Sequence, residues 1–341
     1  MPASKCIVLA ERPTKDIDPA RTFRQETREV GDPGEGEVLV KVMWLSLDPA
    51  MRGWLNDKRS YLPPVQIGET MRSGGLGVVA KAGEGVKLAV GDAVQCTPGW
   101  TEYAVLKAAS CTKIILPPGT QVLDYLNTLG SPGMTAYFGL KDVGKLKAGE
   151  KLLVSGAAGA VGSLVCQLGV SMGAQVYAIA GQQEKCEWLE KELGVVKGLN
   201  YKAPDFRQQL KSIGYIDVYF DNVGGEILDM VLLQLNMHAR IPFCGSISGY
   251  NGKPRPLQNY PNIIAMRATL QGFIVFDYAK QYEAARKELA EGLSSGAIKR
   301  KFHIVEGLEK CPEAVTMLFS GGNTGKLVVK VADVDETQAR L

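Results

Sequence analysis

A chain of 341 residues is long for one hydrophobic core and suits two domains. Its 39 basic and 36 acidic residues leave a net charge of only +3, spread along the chain, which excludes the concentrated basic face of a nucleic-acid or membrane-surface binder. No apolar run reaches the roughly 20 residues that span a bilayer, and the start "MPASKCIVLAERP" lacks the apolar core and cleavage site of a signal peptide, so a cytoplasmic protein is expected. The seven cysteines are odd in number and never spaced Cys-x-x-Cys, which predicts free, buried thiols in a reducing compartment rather than a zinc knuckle or a disulfide framework.

Residues 1–125 read as strand and turn. "EVLVKVMWLSL" is a strand, "GLGVVAKAGEGVKLAVGDAVQC" is short β runs cut by Gly-Glu-Gly and Gly-Asp turns, and "CTKIILPPG" is a strand ended by two prolines. No helical period dominates, which predicts a small irregular β-barrel. From about 126 the texture changes. Strands are predicted at 151–157, 175–180, 216–223, 239–245 and 270–276, alternating with helices in "GAVGSLVCQLGVSMGA", "EKCEWLEKEL", 226–235 and 278–293. That alternation means a parallel sheet covered on both faces, an α/β doubly wound fold. "GKLVVKV" (325–331) is a last strand expected to return to the N-terminal domain, and the polar tail "ADVDETQARL" is expected to be loose. The domains expected are 1–125, completed by 305–341, and 126–304.

The sharpest motif is Gly156-Ala157-Ala158-Gly159-Ala160-Val161-Gly162, fed by a strand and opening a helix. Glycine allows the tight turn and the backbone approach to a pyrophosphate, and N–H groups at the helix start then face the phosphates. The spacing is Gly-x-x-Gly-x-x-Gly, weak as a pattern, but the strand–loop–helix–strand order supports a dinucleotide site. The next strand ends at Gly181, where an NAD site carries an acid for the adenosine ribose. Glycine leaves no negative charge against a 2′-phosphate; Lys185 can supply a cation and Tyr201 a hydroxyl, whereas Glu184 faces solvent at the helix start. The alternative for Lys185 is a solvated surface lysine. The cofactor predicted is NADP(H).

Zinc chemistry in a two-domain dehydrogenase needs converging Cys and His ligands. The only two histidines, His238 before a strand and His303, lie outside the N-terminal region, and "IGET" (67–70) stands where such enzymes carry Gly-His-Glu. No metal is expected.

The chain resembles the zinc-independent medium-chain dehydrogenases/reductases of the group containing prostaglandin/leukotriene B4 reductases, plant alkenal double-bond reductases and bacterial curcumin reductase. The resemblance covers nearly the whole chain and rests on "LSLDPAMRGWL", "RSYLPPVQIGE", "LGSPGMTAYFGL", "SGAAGAVGSLVCQLG", "AGQQEKC", "NYK", "YFDNVGG", "ARIPFCGSISGYN", "LQGFIVFD" and "GGNTGKLVVKV". It implies a GroES-like β-barrel substrate domain beside a Rossmann domain, and a homodimer, whose contact is expected at the exposed sheet edge near 239–275. By the same resemblance Lys185 and Tyr201 hold the 2′-phosphate and Asn222 reaches the nicotinamide-side ribose, unless Asn222 only caps its turn. Cys244, Gly245 and the backbone of Phe273, Ile274 and Val275 serve the cofactor, as do Asn323, Gly325 and Thr135. Met134 lines the same cleft.

Two departures stand out. Ala50, next to Met51, replaces the tyrosine many members carry, and Ala265 stands where the prostaglandin and plant enzymes carry another, which implies either a roomier pocket formed with Met51 and Met134 or a different way of protonating product. Tyr61 and Tyr250 match cleft tyrosines of the curcumin-reductase branch. The expected reaction is NADPH-dependent reduction of the C=C bond of an enal or enone without a metal, with Tyr250 and Tyr61 as donors to the developing oxyanion. The alternatives are a quinone reductase of the same superfamily and a non-catalytic NADPH-binding relative.

Overall fold

In the computed structural model, which describes residues 3–333, the chain forms two compact units: one runs up to Leu126 and resumes at Phe302, and the other is Asn127–Lys301.

The first unit is built on β-structure. β1 (Ala3–Leu9) pairs antiparallel with β2 (Phe23–Glu29) across a short helix, α1 (Pro19–Thr22). The helix starts where the Asp18 carboxylate accepts the Ala20 and Arg21 N–H groups, satisfying donors that a helix start leaves orphaned. β3 (Glu37–Ser46) is the spine, because its apolar residues are buried along almost its whole length. α2 (Met51–Trp54) follows it, and β4 (Gly75–Ala82), β5 (Ala93–Cys96) and β7 (Thr112–Lys113) extend the sheet on one side, while β6 (Tyr103–Lys107) pairs with β3 on the other. The strand expected from "CTKIILPPG" shrinks to two residues, because the chain leaves β5 before Pro117 and Pro118, which cannot donate to a ladder.

The second unit begins with α3 (Ser131–Phe138). It then alternates β8 (Lys151–Val154), α4 (Ala160–Ser171), β9 (Gln175–Ala180), α5 (Gln183–Leu193), β10 (Lys197–Asn200), α6 (Phe206–Ser212), β11 (Ile216–Phe220), α7 (Gly225–Val231), β12 (Leu235–Phe243), α8 (Pro261–Ala265), β13 (Thr269–Gly272) and α9 (Tyr282–Ser294). The strands lie in the order β10-β9-β8-β11-β12-β13 and every neighbouring pair is parallel. This is the doubly wound Rossmann order, in which the order of strands reverses between β8 and β11 and opens a crevice at their carboxyl ends. Leu152, Leu153 and Val154 of β8 and Val218, Tyr219 and Phe220 of β11 are fully enclosed, as central strands covered on both faces must be.

The chain then returns to the first unit. β14 (Phe302–Glu306), α10 (Cys311–Ser320) and β15 (Lys326–Lys330) close it, β15 pairing parallel with β14 and antiparallel with β3. Lys326 is enclosed and donates to the Leu47 carbonyl at 3.0 Å and to the Asp48 carboxylate at 2.6 Å. The Asp-Pro of "LSLDPAMRGWL" thus anchors the returning strand through an ion pair that is enclosed on the lysine side and part-exposed on the Asp48 side.

Several boundaries differ from the sequence reading. The helix expected over 226–235 ends at Val231; a 3₁₀ turn follows and Leu235 opens β12 opposite Ile216. Leucine fits the inner face of either period, so the pattern could not place this border. β12 starts before Ala239, and His238 lies within it at an irregular register, with φ 62°, rather than ahead of it. β11 ends at Phe220, not 223, because Gly224 and Gly225 turn the chain with positive φ. β13 stops at Gly272, so Val275 opens a 3₁₀ turn instead of continuing a strand. Most of the polar tail lies outside the described residues.

Candidate functional site

The crevice between β8 and β11 is organised by one carboxylate. Asp221 follows β11 directly and is fully buried. Its Oδ1 accepts from Ser155 Oγ at 2.8 Å, Tyr219 Oη at 2.8 Å, and the N–H groups of Val223 and Gly224 at 2.9 Å each. Its Oδ2 has no hydrogen-bond partner. Burial pushes the Asp221 carboxyl up, against the pull of these donors. Ser155 directly follows β8, so this bond joins the ends of the two strands where the strand order reverses. Asn222 adds a second tie: its N–H donates to Ser155 Oγ at 2.9 Å and its Nδ2 to the Ser155 carbonyl at 2.7 Å.

Ser155 leads into the glycine loop. Gly156 takes φ 58°, and a Cβ on Gly162 would lie 2.3 Å from the Gly156 carbonyl oxygen and 2.7 Å from Ala157 Cα. Only glycine lets the first turn of α4 press onto its own loop this closely. Gly159 is the N-cap of α4, and Ala160 and Val161 begin it. No side chain caps that end, which leaves its N–H groups and the positive end of the helix dipole for an anion.

One strand over, Gly181 closes β9. A Cβ there would stand 2.8 Å from Cε1 and 3.0 Å from the hydroxyl of Tyr201. The expected acid is therefore absent for a steric reason as well as an electrostatic one, since the tyrosine ring fills its place. α5 starts two residues later; it buries Cys186, Leu189 and Leu193 and ends on Gly194 in the left-handed conformation, whose N–H caps Leu189. That packing fixes Lys185 on the first turn beside the buried stripe. Burial, and then the charge of Lys202, hold the Lys185 ammonium below its ordinary value, while Glu184 is exposed. Lys202, which the sequence reading missed, lies 5.9 Å from the Tyr201 ring. Two lysines and a phenol thus gather beside a glycine, and donors of this kind are able to bind a phosphate dianion. The signal for Lys202 was its place beside Tyr201 in "NYK".

The other expected residues fall in different places. Tyr250 caps a 3₁₀ turn after β12, and its hydroxyl accepts the Ser246 N–H at 3.2 Å, with Gly245 alongside; Cys244 and Gly245 donate their N–H groups to the Asp221 carbonyl. The Phe273 ring packs edge-on against Phe220, centroids 6.2 Å apart. Thr135 spends its proton on the Ser131 carbonyl, and Ala265 ends α8 exposed. In the first unit, Tyr61 is 49% exposed, Ala50 precedes α2, and Asn323 donates to the carbonyl of Gly325, which has φ 73°. Met51 and Met134 are corrections. Both are fully enclosed, Met51 within the apolar core of its unit, so neither offers surface to a substrate. Asp221, Ser155 and Tyr219 were not singled out, although "SGAAG" and "YFDNVGG" contain them.

Among the described residues no group of three or more His, Cys, Asp or Glu side chains is placed to hold a metal ion. No helix among them is long and apolar enough to cross a membrane. The chain matches two known families, one described as the N-terminal domain of oxidoreductase over residues 5–114, the other as zinc-binding dehydrogenase over residues 160–291. It is 38% identical to the NADPH-dependent curcumin reductase of Escherichia coli across 96% of this chain and 97% of that protein. It is 36% identical to the NADP-dependent 2-alkenal reductase of Nicotiana tabacum across 88% of each. The crystal structure of CurA from Vibrio vulnificus in complex with NADPH superposes with a TM-score of 0.91 at 37% identity, covering 97% of this chain and all of that one. With the glycine loop and the Gly181–Lys185–Tyr201 seat, these likenesses make NADP(H) the cofactor. The chain belongs to the medium-chain dehydrogenase/reductase family, as an NADPH-dependent oxidoreductase of the curcumin and alkenal reductase group.

Proposed function

We propose that the protein reduces the C=C bond of α,β-unsaturated aldehydes and ketones without a metal. NADPH, when bound, supplies the hydride that the β-carbon of the substrate receives. The chain's own residues do the rest. The glycine loop and the α4 N-terminus hold the pyrophosphate, and Lys185, Lys202 and Tyr201 hold the 2′-phosphate. Asp221 locks Ser155 and Asn222 at the crevice. As the alkene is reduced, negative charge gathers on the carbonyl oxygen and needs a fixed donor. The observation that carries the reading is Tyr250: its oxygen accepts the Ser246 N–H, which fixes the phenol and strengthens it as a donor, among residues that offer no metal-ligand cluster. Tyr61 is the second donor. With Ala50 and Ala265 in place of tyrosines, water is the proton source for the α-carbon.

Tyr250→Phe is expected to lower kcat on an enone about a hundredfold, the usual cost of one oxyanion donor, with the KM for NADPH within about twofold. Tyr61→Phe is expected to lose about tenfold, because its exposed ring is less rigidly held. Steady-state kinetics check both, and full kcat in each variant removes the tyrosines from the reaction. Products formed from NADPH with an enone and with a quinone test the activity itself: saturated carbonyl supports the reading, quinol alone marks a quinone reductase, and no turnover marks a binding relative.

The assembly proposed is a homodimer through β13, located in the reducing cytoplasm that seven unpaired thiols suit. β13 is an edge strand whose residues are mostly exposed, and Tyr260, Ile264 and Phe276 expose apolar surface nearby. Light scattering is expected to give twice the 36.8 kDa chain mass, whereas a single chain mass rules the dimer out.

A further inference from the structure

Two of the cysteines face each other across a β-ladder. β5 and β7 pair antiparallel with Val94 opposite Lys113 and Gln95 opposite Thr112. One more step of that register sets Cys96 opposite Cys111. The Ile114 N–H donates to the Ala93 carbonyl at 2.9 Å, marking 93 and 114 as a hydrogen-bonded pair. By alternation, 96 and 111 occupy a non-hydrogen-bonded position, where facing Cα atoms approach to about 4.5 Å and side chains are closest. That separation lies within the span of a disulfide.

The surroundings divide the labour between the two sulfurs. Cys96 is 5% exposed in a cluster with Val38, Val40, Val79 and Val94, and Cys111 packs at the margin of that cluster, half-buried. The facing Cys111 thiol, then burial, holds the Cys96 thiol well above its ordinary value, and the facing Cys96 thiol holds Cys111 below its own against burial. Cys6, Cys166, Cys186, Cys244 and Cys311 are all pushed up, chiefly by burial, Cys244 to about 12. Cys111 is the more exposed of the facing pair, so it is the sulfur that an oxidant in solution reaches.

We propose that Cys96 and Cys111 are a redox pair that closes into a reversible disulfide when the protein meets a hydroperoxide. The Cys111 thiolate attacks the outer peroxide oxygen; the O–O bond breaks, the alkoxide leaves and takes a proton as the alcohol, and Cys111 becomes a sulfenic acid. The Cys96 sulfur then displaces the hydroxyl and gives up its proton, so that water leaves and the S–S bond forms. Two thiols lose two electrons and the hydroperoxide gains them, ending as alcohol and water. The inference stands apart from the reductase reading, because both cysteines lie in the β-unit and neither is assigned to the cofactor or the substrate.

The test uses the full-length protein, reduced, freed of reductant and treated with hydrogen peroxide. Thiol titration after denaturation is expected to lose two of the seven thiols, and peptide mapping to find Cys96 linked to Cys111, both restored by a thiol reductant. Cys96→Ser is expected to trap the sulfenic acid at Cys111, readable with dimedone, and Cys111→Ser to abolish the linkage. Retention of all seven thiols in the unsubstituted protein, or a linked peptide joining other cysteines, overturns the proposal. That measurement needs no variant to fold.

Discussion

Lys185→Ala is expected to raise the KM for NADPH about thirtyfold and to leave that for NADH within about twofold. Removing one charge-assisted hydrogen bond to a phosphate costs about 2 kcal/mol, and each 1.4 kcal/mol is tenfold. The ammonium is predisposed to this role. Burial, and next the charge of Lys202, hold its pKa down, so an arriving dianion relieves a strain already present. Binding therefore draws the Lys185 pKa back up. The pH dependence follows with its sign. Toward acid, the preference for NADPH fades as the 2′-phosphate dianion takes up a proton near pH 6. Toward base, it fades earlier than an ordinary lysine would allow, because the depressed ammonium loses its proton sooner. The ratio of kcat/KM for the two coenzymes, measured against pH, checks both limbs. Equal losses with NADPH and NADH would remove Lys185 from the phosphate seat.

Asp221→Ala is expected to be the most destabilising substitution in the cofactor unit, at about 3–5 kcal/mol. It strands the Ser155 and Tyr219 hydroxyls and two N–H groups in a buried space, and it leaves a void. Asp221→Asn keeps an acceptor oxygen and places an N–H₂ where Oδ2 lacks a partner, so about 1–2 kcal/mol is expected. Because burial raises the folded-state carboxyl above its unfolded value, the Asp221 contribution is full below the unfolded pKa and declines as pH rises through the folded one. Urea denaturation at several pH values should therefore show the gap between the native protein and Asp221→Asn narrowing toward alkaline pH. A gap that widens would mean the carboxylate is stabilised rather than strained by its site. The KM for NADPH is expected to rise in both variants, since Ser155 and Asn222 lose their anchor.

The architecture was legible because β8, β9 and β11 are short apolar runs separated by helical patterns, and central parallel strands carry that signature. The glycine loop was legible because each glycine answers a backbone demand, seen at Gly156 and Gly162. The reason for Gly181 was only half legible: the charge argument was available, but the collision with Tyr201 depends on a residue 20 positions away. Asp221 escaped notice because an acid after a strand resembles any turn residue, and its worth lies in which donors the fold delivers to it. Met51 and Met134 were misplaced for a related reason. A flexible apolar side chain beside a motif fills core as readily as it lines a pocket, and both fill core.

The most direct test of the account is isotope tracing of the hydride. NADPH deuterated at the transferable C4 position is incubated with the enzyme and a simple enone, and the product is read by NMR. The account predicts a saturated ketone with deuterium on the β-carbon. An allylic alcohol with deuterium on the former carbonyl carbon would contradict it.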